Sequence, residues 1–230
     1  MTIYKVEEVN GKRYDSLIFD LDGTLWNVNE SCTNAWNDVL ESIGSGRRIT
    51  VEEMNSVTGM PMEEIMVKLL PDDGFDHKKL YSLLNSREEQ LIGRQGTYLY
   101  PGMLKELERL AGFFRLYLVS NCQEWYLKRF LDYSGAGRYL SGWDCYGSSG
   151  QEKHLMISGI KVKNNIKNAV YIGDTVLDRD SAVLSGTDFV QVTYGFGLPL
   201  EGEIRFDHFS DLSVYLEKFR HDGNGSKDRE

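Results

Sequence analysis

An apolar segment that ends abruptly in two carboxylates is the feature that most limits how this chain can fold. Leu17-Ile18-Phe19 is followed at once by Asp20-Leu21-Asp22-Gly23-Thr24. The apolar segment predicts a buried strand, and the glycine predicts a turn after it. A carboxylate at the end of such a strand leaves the hydrogen-bonded ladder and can face the crevice where α/β sheets bind ligands. Because two neighbouring carboxylates repel each other without a metal ion or a shared proton, we expect a site of chemistry here.

Short apolar segments alternate with helical patterns along most of the chain. Strands are predicted at 17–19, 114–119, 139–143, 169–172 and 189–192. Helices are predicted at 101–110, 124–131, 152–160, 180–184 and 210–219, the last with Ser210 as its cap. Strands that are separated by helices pair in parallel. The pattern therefore predicts an α/β fold with a doubly wound parallel sheet.

Residues 27–96 interrupt this alternation, because only helical patterns occur there. The predicted helices are 31–42, 51–57, 62–70 and 78–91, with glycines between them. We interpret 27–96 as an inserted all-α cap domain and assign 1–26 and 97–220 to the α/β core. Residues 4–15 predict a hairpin around Asn10-Gly11, and the polar segment 221–230 predicts a flexible tail.

Composition and net charge restrict the kinds of molecule that this chain is expected to bind. The net charge of −9 and the pI of about 5.1 argue against nucleic acid or an anionic membrane as a partner. No apolar stretch approaches the roughly 20 residues that span a bilayer, and the first ten residues lack the form of a signal peptide. Three scattered cysteines, without metal-ligand spacing, predict reduced thiols. We expect a cytoplasmic protein that is a monomer or a weak homodimer.

Polar residues follow three of the predicted strands. These are Asp20 and Asp22 after the first, Ser120 and Asn121 after the second, and Asp174 and Asp178 after the fourth. The carboxyl ends of parallel strands lie along one edge, so residues far apart in sequence converge there. Lys153, at the start of the helix that precedes Asp174, can reach the same edge.

Residues of these types are suited to phosphoryl transfer. Asp20 would attack phosphorus as the nucleophile, and Asp22 would protonate the leaving oxygen and then activate water. The remaining polar groups would bind phosphoryl oxygens, namely Ser120, the backbone amide of Asn121, and Lys153.

The same carboxylates can hold a cation. Mg²⁺ prefers oxygen ligands and retained water, and Asp20, Asp174 and a backbone carbonyl at Asp22 would supply the oxygens. Asp178, one helical turn after Asp174, would brace the metal or its waters.

The four segments together resemble the motifs of the haloacid dehalogenase superfamily of aspartate-nucleophile phosphatases. The matching segments are DLDGT at 20–24, Ser120, Lys153 and GDTVLD at 173–178, in the same order, and Asp174 lies 21 positions after Lys153. The resemblance implies a Rossmann-like core with a small helical cap. It also implies the roles given above, with Asp20 as nucleophile, Asp22 as acid and base, and Asp174 as metal ligand.

One position departs from the family pattern, because His154 follows Lys153 where many members carry proline. Lys161 and Lys163 therefore stay open as alternatives for the phosphate-binding lysine. The segment Tyr194-Gly195-Phe196-Gly197 and the cap position resemble the phosphoglycolate phosphatase-like branch.

The expected function is a Mg²⁺-dependent phosphatase that hydrolyses a small phosphorylated metabolite through an aspartyl-phosphate. A phosphosugar mutase and a pyrophosphatase would use the same motifs and stay open as alternatives. A haloacid dehalogenase is less favoured, since it needs neither Mg²⁺ nor a second acid at position 22. A non-catalytic binding module is also less favoured, because unpaired buried carboxylates are costly.

Overall fold

A computed structural model describes residues 12–71, 74 and 76–220 of the chain. The predicted hairpin at 4–15 lies outside the described residues except for 12–15, and the predicted tail at 221–230 lies outside them entirely.

A six-stranded sheet is the centre of the fold. The strands in the described residues are β1 (Ser16–Phe19), β2 (Trp26–Asn27), β3 (Tyr98–Leu99), β4 (Arg115–Ser120), β5 (Leu140–Cys145), β6 (Ala169–Gly173), β7 (Asp188–Val192) and β8 (Arg205–Phe206), and all of them except β2 and β3 belong to this sheet. The sheet order is β5-β4-β1-β6-β7-β8, and every pairing in it is parallel. Because β1 lies between β4 and β6, the connections run in opposite directions on its two sides. The crevice that accepts ligands in such sheets is at the carboxyl end of β1.

Helices cover both faces of the sheet. They are α1 (Asn29–Ser42), α2 (Val51–Asn55), α3 (Met62–Leu69), α4 (His77–Leu91), α5 (Met103–Ala111), α6 (Glu124–Ser134), α7 (Tyr146–Ser149), α8 (Lys153–Lys163), α9 (Val176–Leu184) and α10 (Phe209–Leu216). Leu17 and Phe19 of β1 pack in the apolar cluster that includes α5, α6 and α10. Ile18 packs in the opposite cluster, with α8 and α9. Alternate side chains of one strand thus enter two cores, which confirms the predicted doubly wound α/β fold.

Residues between β2 and β3 form four helices, α1 to α4, as the helical patterns predict. Strands β2 and β3 flank this segment and pair antiparallel as a separate two-stranded sheet, so the two ends of the segment lie side by side. Buried side chains of the segment, such as Trp36 and Leu84, belong to the same apolar cluster as one face of the sheet. The domain boundaries at 26/27 and 96/97 stay a prediction. No helix in the described ranges has the length and apolar character needed to cross a bilayer.

Local predictions fail where an element is very short or is capped unexpectedly. The ribbon strands β2 and β3, the edge strand β8 and the single-turn helix α7 are absent from the sequence prediction. Helix α9 begins at Val176 rather than at 180, because Thr175 and Asp178 form a reciprocal capping box. Ser210 is not a cap: α10 begins at Phe209, and His208 occupies the N-cap position.

Candidate active site

Three carboxylates meet at the carboxyl edge of the sheet. Asp20 follows β1, Asp174 follows β6, and Asp178 lies in the first turn of α9. One oxygen of each lies within 4.8 Å of the others, and all three side chains are buried. The structure therefore brings together the residues that the sequence selected as metal ligands, except that the side chain of Asp22 points elsewhere.

Lys153 is the cation of this cluster. Its Nζ lies 2.8 Å from Asp20 Oδ1 and 2.7 Å from Asp178 Oδ1, and the side chain is buried. Burial alone would lower the pKa of Lys153, but the charges of Asp178 and Asp20 outweigh it and raise that pKa. The alternative Lys161 donates instead to backbone carbonyls of Ser185 and Gly186, and the alternative Lys163 is exposed at the far end of α8, whereas Lys153 contacts the carboxylates.

Asp174 is held by a loop that approaches it closely. Its Oδ2 accepts hydrogen bonds from the backbone amides of Phe196 at 2.6 Å and Gly197 at 3.2 Å. Gly23 faces the same carboxylate from the other side, since a Cβ on it would lie 2.6 Å from Asp174 Cγ. With φ near +81°, Gly23 also adopts a conformation that other residues avoid. The turn after β1 therefore requires glycine at this position.

A divalent cation fits this donor set. Asp174 Oδ1 is buried and accepts no hydrogen bond from the described residues. A buried carboxylate oxygen without a partner is costly, and a cation would satisfy it. Three carboxylates against one lysine also leave excess negative charge in a buried site, so the residues present are suited to a cation that prefers oxygen ligands.

The pKa shifts within the cluster also indicate an excess of negative charge. Burial and then the charge of Asp178 raise the pKa of Asp20 well above its usual range, although Lys153 opposes them. Burial and Asp178 likewise raise the pKa of Asp174 to about 7. Asp178 has little capacity to accept further bonds, because its Oδ2 already accepts hydrogen bonds from the Thr175 amide at 3.0 Å and from the Thr175 hydroxyl at 2.7 Å. Asp178 is thus placed to hold Lys153 and the start of α9.

Asp22 has a different environment from Asp20. Its Oδ1 accepts hydrogen bonds from Trp26 Nε1 at 3.0 Å and from the hydroxyl of Tyr126. Burial raises the pKa of Asp22 to about 6, although these two donors favour the charged form. A carboxyl with that pKa can donate or accept a proton near neutrality. Sequence reasoning missed Tyr126, whose role depends on an α6 contact across 104 positions.

Ser120 is the last residue of β4, beside β1, and Asn121 follows it. Ser120 is buried, and its Oγ accepts from the Cys122 amide at 3.3 Å. The side chain of Asn121 donates from Nδ2 to the carbonyl of Gly59 at 2.8 Å. This bond joins the sheet edge to the turn between α2 and α3, which brings the helical segment over the site.

Tyr171 of β6 is a further neighbour that the sequence did not single out. Its hydroxyl donates to the Val119 carbonyl at 2.9 Å and lies 3.4 Å from Asp20 Oδ1. The ring is fully buried beneath the carboxylates. Its position in an apolar strand gave no signal of a polar role.

Comparison with known proteins agrees with this arrangement. The family model of haloacid dehalogenase-like hydrolases matches residues 17–192, a range that contains all of the clustered residues. The chain belongs to the haloacid dehalogenase-like hydrolases. It is therefore an enzyme of a hydrolase family, as the resemblance of its motifs predicts.

Related proteins share both sequence and fold with this haloacid dehalogenase-like hydrolase. A phosphoglycolate phosphatase from Rhodobacter capsulatus is 27% identical over 209 residues, which cover 86% of this chain and 94% of the relative. The crystal structure of a predicted phosphoglycolate phosphatase from Haemophilus somnus aligns with a TM-score of 0.78 at 20% identity, covering 90% and 99% of the two chains. A haloacid dehalogenase-like family protein from Streptococcus pneumoniae aligns with a TM-score of 0.77 at 20% identity, covering 88% and 98%. The structural likenesses support the fold.

Proposed function

We propose that this hydrolase is a Mg²⁺-dependent phosphatase that cleaves the phosphate monoester of a small metabolite through an aspartyl-phosphate. The observation that carries the proposal is the cluster of Asp20, Asp174 and Asp178, whose oxygens lie within 4.8 Å of one another. The unpartnered Asp174 Oδ1 supports a cation there. The relative from Rhodobacter capsulatus, named a phosphoglycolate phosphatase, supports the reaction class.

The proposed cation ligands are Asp20, Asp174 and the backbone carbonyl of Asp22, with Asp178 bracing them. Bound Mg²⁺ would supply positive charge that offsets the repulsion between a phosphate dianion and a carboxylate nucleophile. Lys153 already holds Asp20 by an ion pair at 2.8 Å, which favours the ionised carboxylate that attack requires.

The first step joins Asp20 to phosphorus. An oxygen of Asp20 forms a bond to phosphorus while the ester bond to the leaving oxygen breaks. Asp22, in its protonated form, gives its proton to that leaving oxygen. Ser120 and the Asn121 amide, at the end of β4, would bind the phosphoryl oxygens, and Lys153 would add its charge.

The second step releases phosphate. Asp22, now ionised, removes a proton from water, and the water oxygen attacks phosphorus as the bond to Asp20 breaks. Because Tyr126 and Trp26 both donate to Asp22, the carboxylate is held in one orientation for both steps. A pKa of about 6 suits a group that must first donate and then accept a proton.

Residues 27–96 would act as the cap over this site. The contact between Asn121 and the Gly59 carbonyl supports a closed position of the cap. A closed cap excludes water and large substrates, so we expect a small metabolite rather than a phosphoprotein. The cytoplasmic location and the monomeric or weakly dimeric state stay predictions.

Hydrolysis of p-nitrophenyl phosphate tests the proposal. The wild type should require Mg²⁺ and lose turnover in EDTA. Asp20→Asn should lower kcat by at least about a thousandfold, because it removes the nucleophile. Asp38→Asn is the matched control, since that exposed aspartate pairs with Arg87 on the cap surface and should keep full activity. Equal turnover with EDTA or with Asp20→Asn contradicts the proposal.

A further inference from the structure

A cavity lies between the helical segment and the carboxyl edge of the sheet. Its volume is about 80 Å³, which holds several water molecules or a short organic group. Its floor contains Asp22, Ser120 and Asn121, the groups proposed to surround the leaving oxygen and the phosphoryl group. If the proposed function holds, the alcohol part of the substrate occupies this cavity.

The walls of the cavity are mainly apolar, with aromatic and acidic side chains among them. The rings of Trp36, Trp125 and Tyr126 line it. The charged side chains that line it are Asp22 and Glu88. Among the described residues at its surface there is no lysine, arginine or histidine. An anionic group of a substrate would therefore find no counter-charge here beyond the phosphate site itself.

Glu88 is the second acidic group that lines this cavity, besides Asp22. It belongs to α4, and its side chain is 6% exposed. Its Oε1 accepts a hydrogen bond from Trp36 Nε1 at 2.7 Å, and Cys32 lies beside it. A carboxylate can accept about four hydrogen bonds, so Glu88 can accept further hydrogen bonds from a ligand. No ion pair to Glu88 occurs within the ranges that the structure describes.

A buried carboxylate without a cation is unfavourable in the empty protein. Burial raises the pKa of Glu88 to about 7, and the nearby charge of Asp22 adds to this effect. An apolar side chain packed against Trp36 would lower the stability of the folded protein less than the buried acid at position 88 does. A positively charged ligand would remove the penalty, and Trp36 and Trp125, which line the same cavity, supply aromatic rings of the kind that attract cations.

We propose that the substrate is the phosphate monoester of an amino alcohol, whose ammonium group is bound by Glu88 and the rings of Trp36 and Trp125. Glu88 is thus a specificity-determining residue of the cavity. The inference rests on the proposed function. It also predicts that phosphoglycolate, the substrate named for the relative from Rhodobacter capsulatus, is a poor substrate for this chain.

Three two-carbon phosphate monoesters test the inference, because they differ only in the distal group. They are 2-aminoethyl phosphate, 2-hydroxyethyl phosphate and 2-phosphoglycolate. For the wild type we expect kcat/KM to fall in that order, with at least about a hundredfold between the first and the last. A hundredfold ratio corresponds to about 2.8 kcal/mol.

Glu88→Gln keeps an acceptor for Trp36 but removes the charge. It should lower the ratio of kcat/KM for 2-aminoethyl phosphate over 2-hydroxyethyl phosphate by at least about tenfold. Glu106→Gln is the matched control, since Glu106 is also buried but lies on α5, outside the cavity, beside Arg109. That variant should keep the wild-type ratio, and thermal unfolding checks that both variants fold.

Two results would overturn the inference: turnover of 2-phosphoglycolate that equals or exceeds that of 2-aminoethyl phosphate, or a ratio unchanged by Glu88→Gln. In either case, Mg²⁺-dependent and Asp20-dependent hydrolysis of p-nitrophenyl phosphate would still support the proposed phosphatase. Loss of that basal reaction in the wild type would contradict the proposed function instead.

Discussion

The replacement Glu88→Gln should stabilise the folded protein at high pH, because it removes a buried charge. Glu88 is packed against Trp36 and is almost without solvent contact. Burial raises its pKa from an ordinary 4.5 to about 7 in the folded protein. The folded state therefore favours the protonated acid, and the ionised form is the one that opposes folding.

The direction of the pH dependence follows from this shift. The favourable contribution of the protonated acid is fully present below pH 4.5 and is lost as the pH rises through about 7. Each tenfold change in a protonation equilibrium corresponds to about 1.4 kcal/mol, so the whole interval between 4.5 and 7 corresponds to about 3 to 4 kcal/mol. Relative to the wild type, Glu88→Gln should thus gain about 3 kcal/mol of unfolding free energy between pH 4 and pH 8.

Urea unfolding at pH 4 to 8 measures the difference between the variant and the wild type, so that the other titrating groups cancel. Glu89→Gln is the matched control, because Glu89 is the next residue of α4 and is exposed. Its difference from the wild type should stay within about 0.5 kcal/mol across this range. A difference for Glu88→Gln that does not change with pH, or that favours the wild type more as the pH rises, would refute the reasoning.

The remaining predictions concern the acidic cluster and its supports. Lys153→Met should lower the unfolding free energy in EDTA by about 3–5 kcal/mol, because it leaves Asp20 and Asp178 buried without their cation. In urea titrations, added Mg²⁺ should restore part of the lost unfolding free energy. A loss below about 1 kcal/mol would contradict this prediction. Gly197→Ala should raise the Mg²⁺ concentration for half-maximal activity by about 10–100-fold, since its Cβ would lie 2.8 Å from the Asp174 carbonyl carbon and displace an amide that holds Asp174. Gly159→Ala, where a Cβ meets open space, is its control. For an alkyl phosphate, kcat/KM should decrease as the pH rises above about 6, because Asp22 loses its proton. Asp22→Asn should remove this decrease of kcat/KM with pH and lower kcat by about 10²–10⁴-fold. An identical pH profile in the variant would exclude Asp22 as the acid.

Much of the core architecture was predictable because its strands are apolar on both faces. The segments at 17–19 and 169–172 are fully buried central strands, and continuous apolar runs are typical of such strands. Polar residues that follow these runs must lie at the carboxyl edge of a parallel sheet. For this reason, the convergence of Asp20 and Asp174 could be predicted without coordinates.

Contacts between distant elements could not be predicted in this way. The two-residue strands β2 and β3 are too short to show a periodic pattern, and their pairing depends on the position of the whole helical segment. The hydrogen bond from Tyr126 to Asp22 likewise depends on how α6 packs against the turn after β1.

Some missed features did leave a signal in the sequence. Leu80, Leu84 and Glu88 are spaced by four residues, so they lie on one face of α4, and all three are buried. An acid in line with two leucines could therefore have been selected as buried. Similarly, Thr175 and Asp178 have the spacing of a capping box, which fixes the start of α9 earlier than apolar periodicity does.

The most direct test of the mechanism is to trap the covalent intermediate on Asp20. Wild-type enzyme would be quenched in acid during turnover of p-nitrophenyl phosphate with Mg²⁺, then reduced with borohydride, which converts an acyl-phosphate of aspartate into homoserine. Peptide mass spectrometry should find homoserine at position 20, and none when EDTA replaces Mg²⁺. Steady phosphate release with position 20 always recovered as aspartate, or with the modification on another residue, would contradict the mechanism.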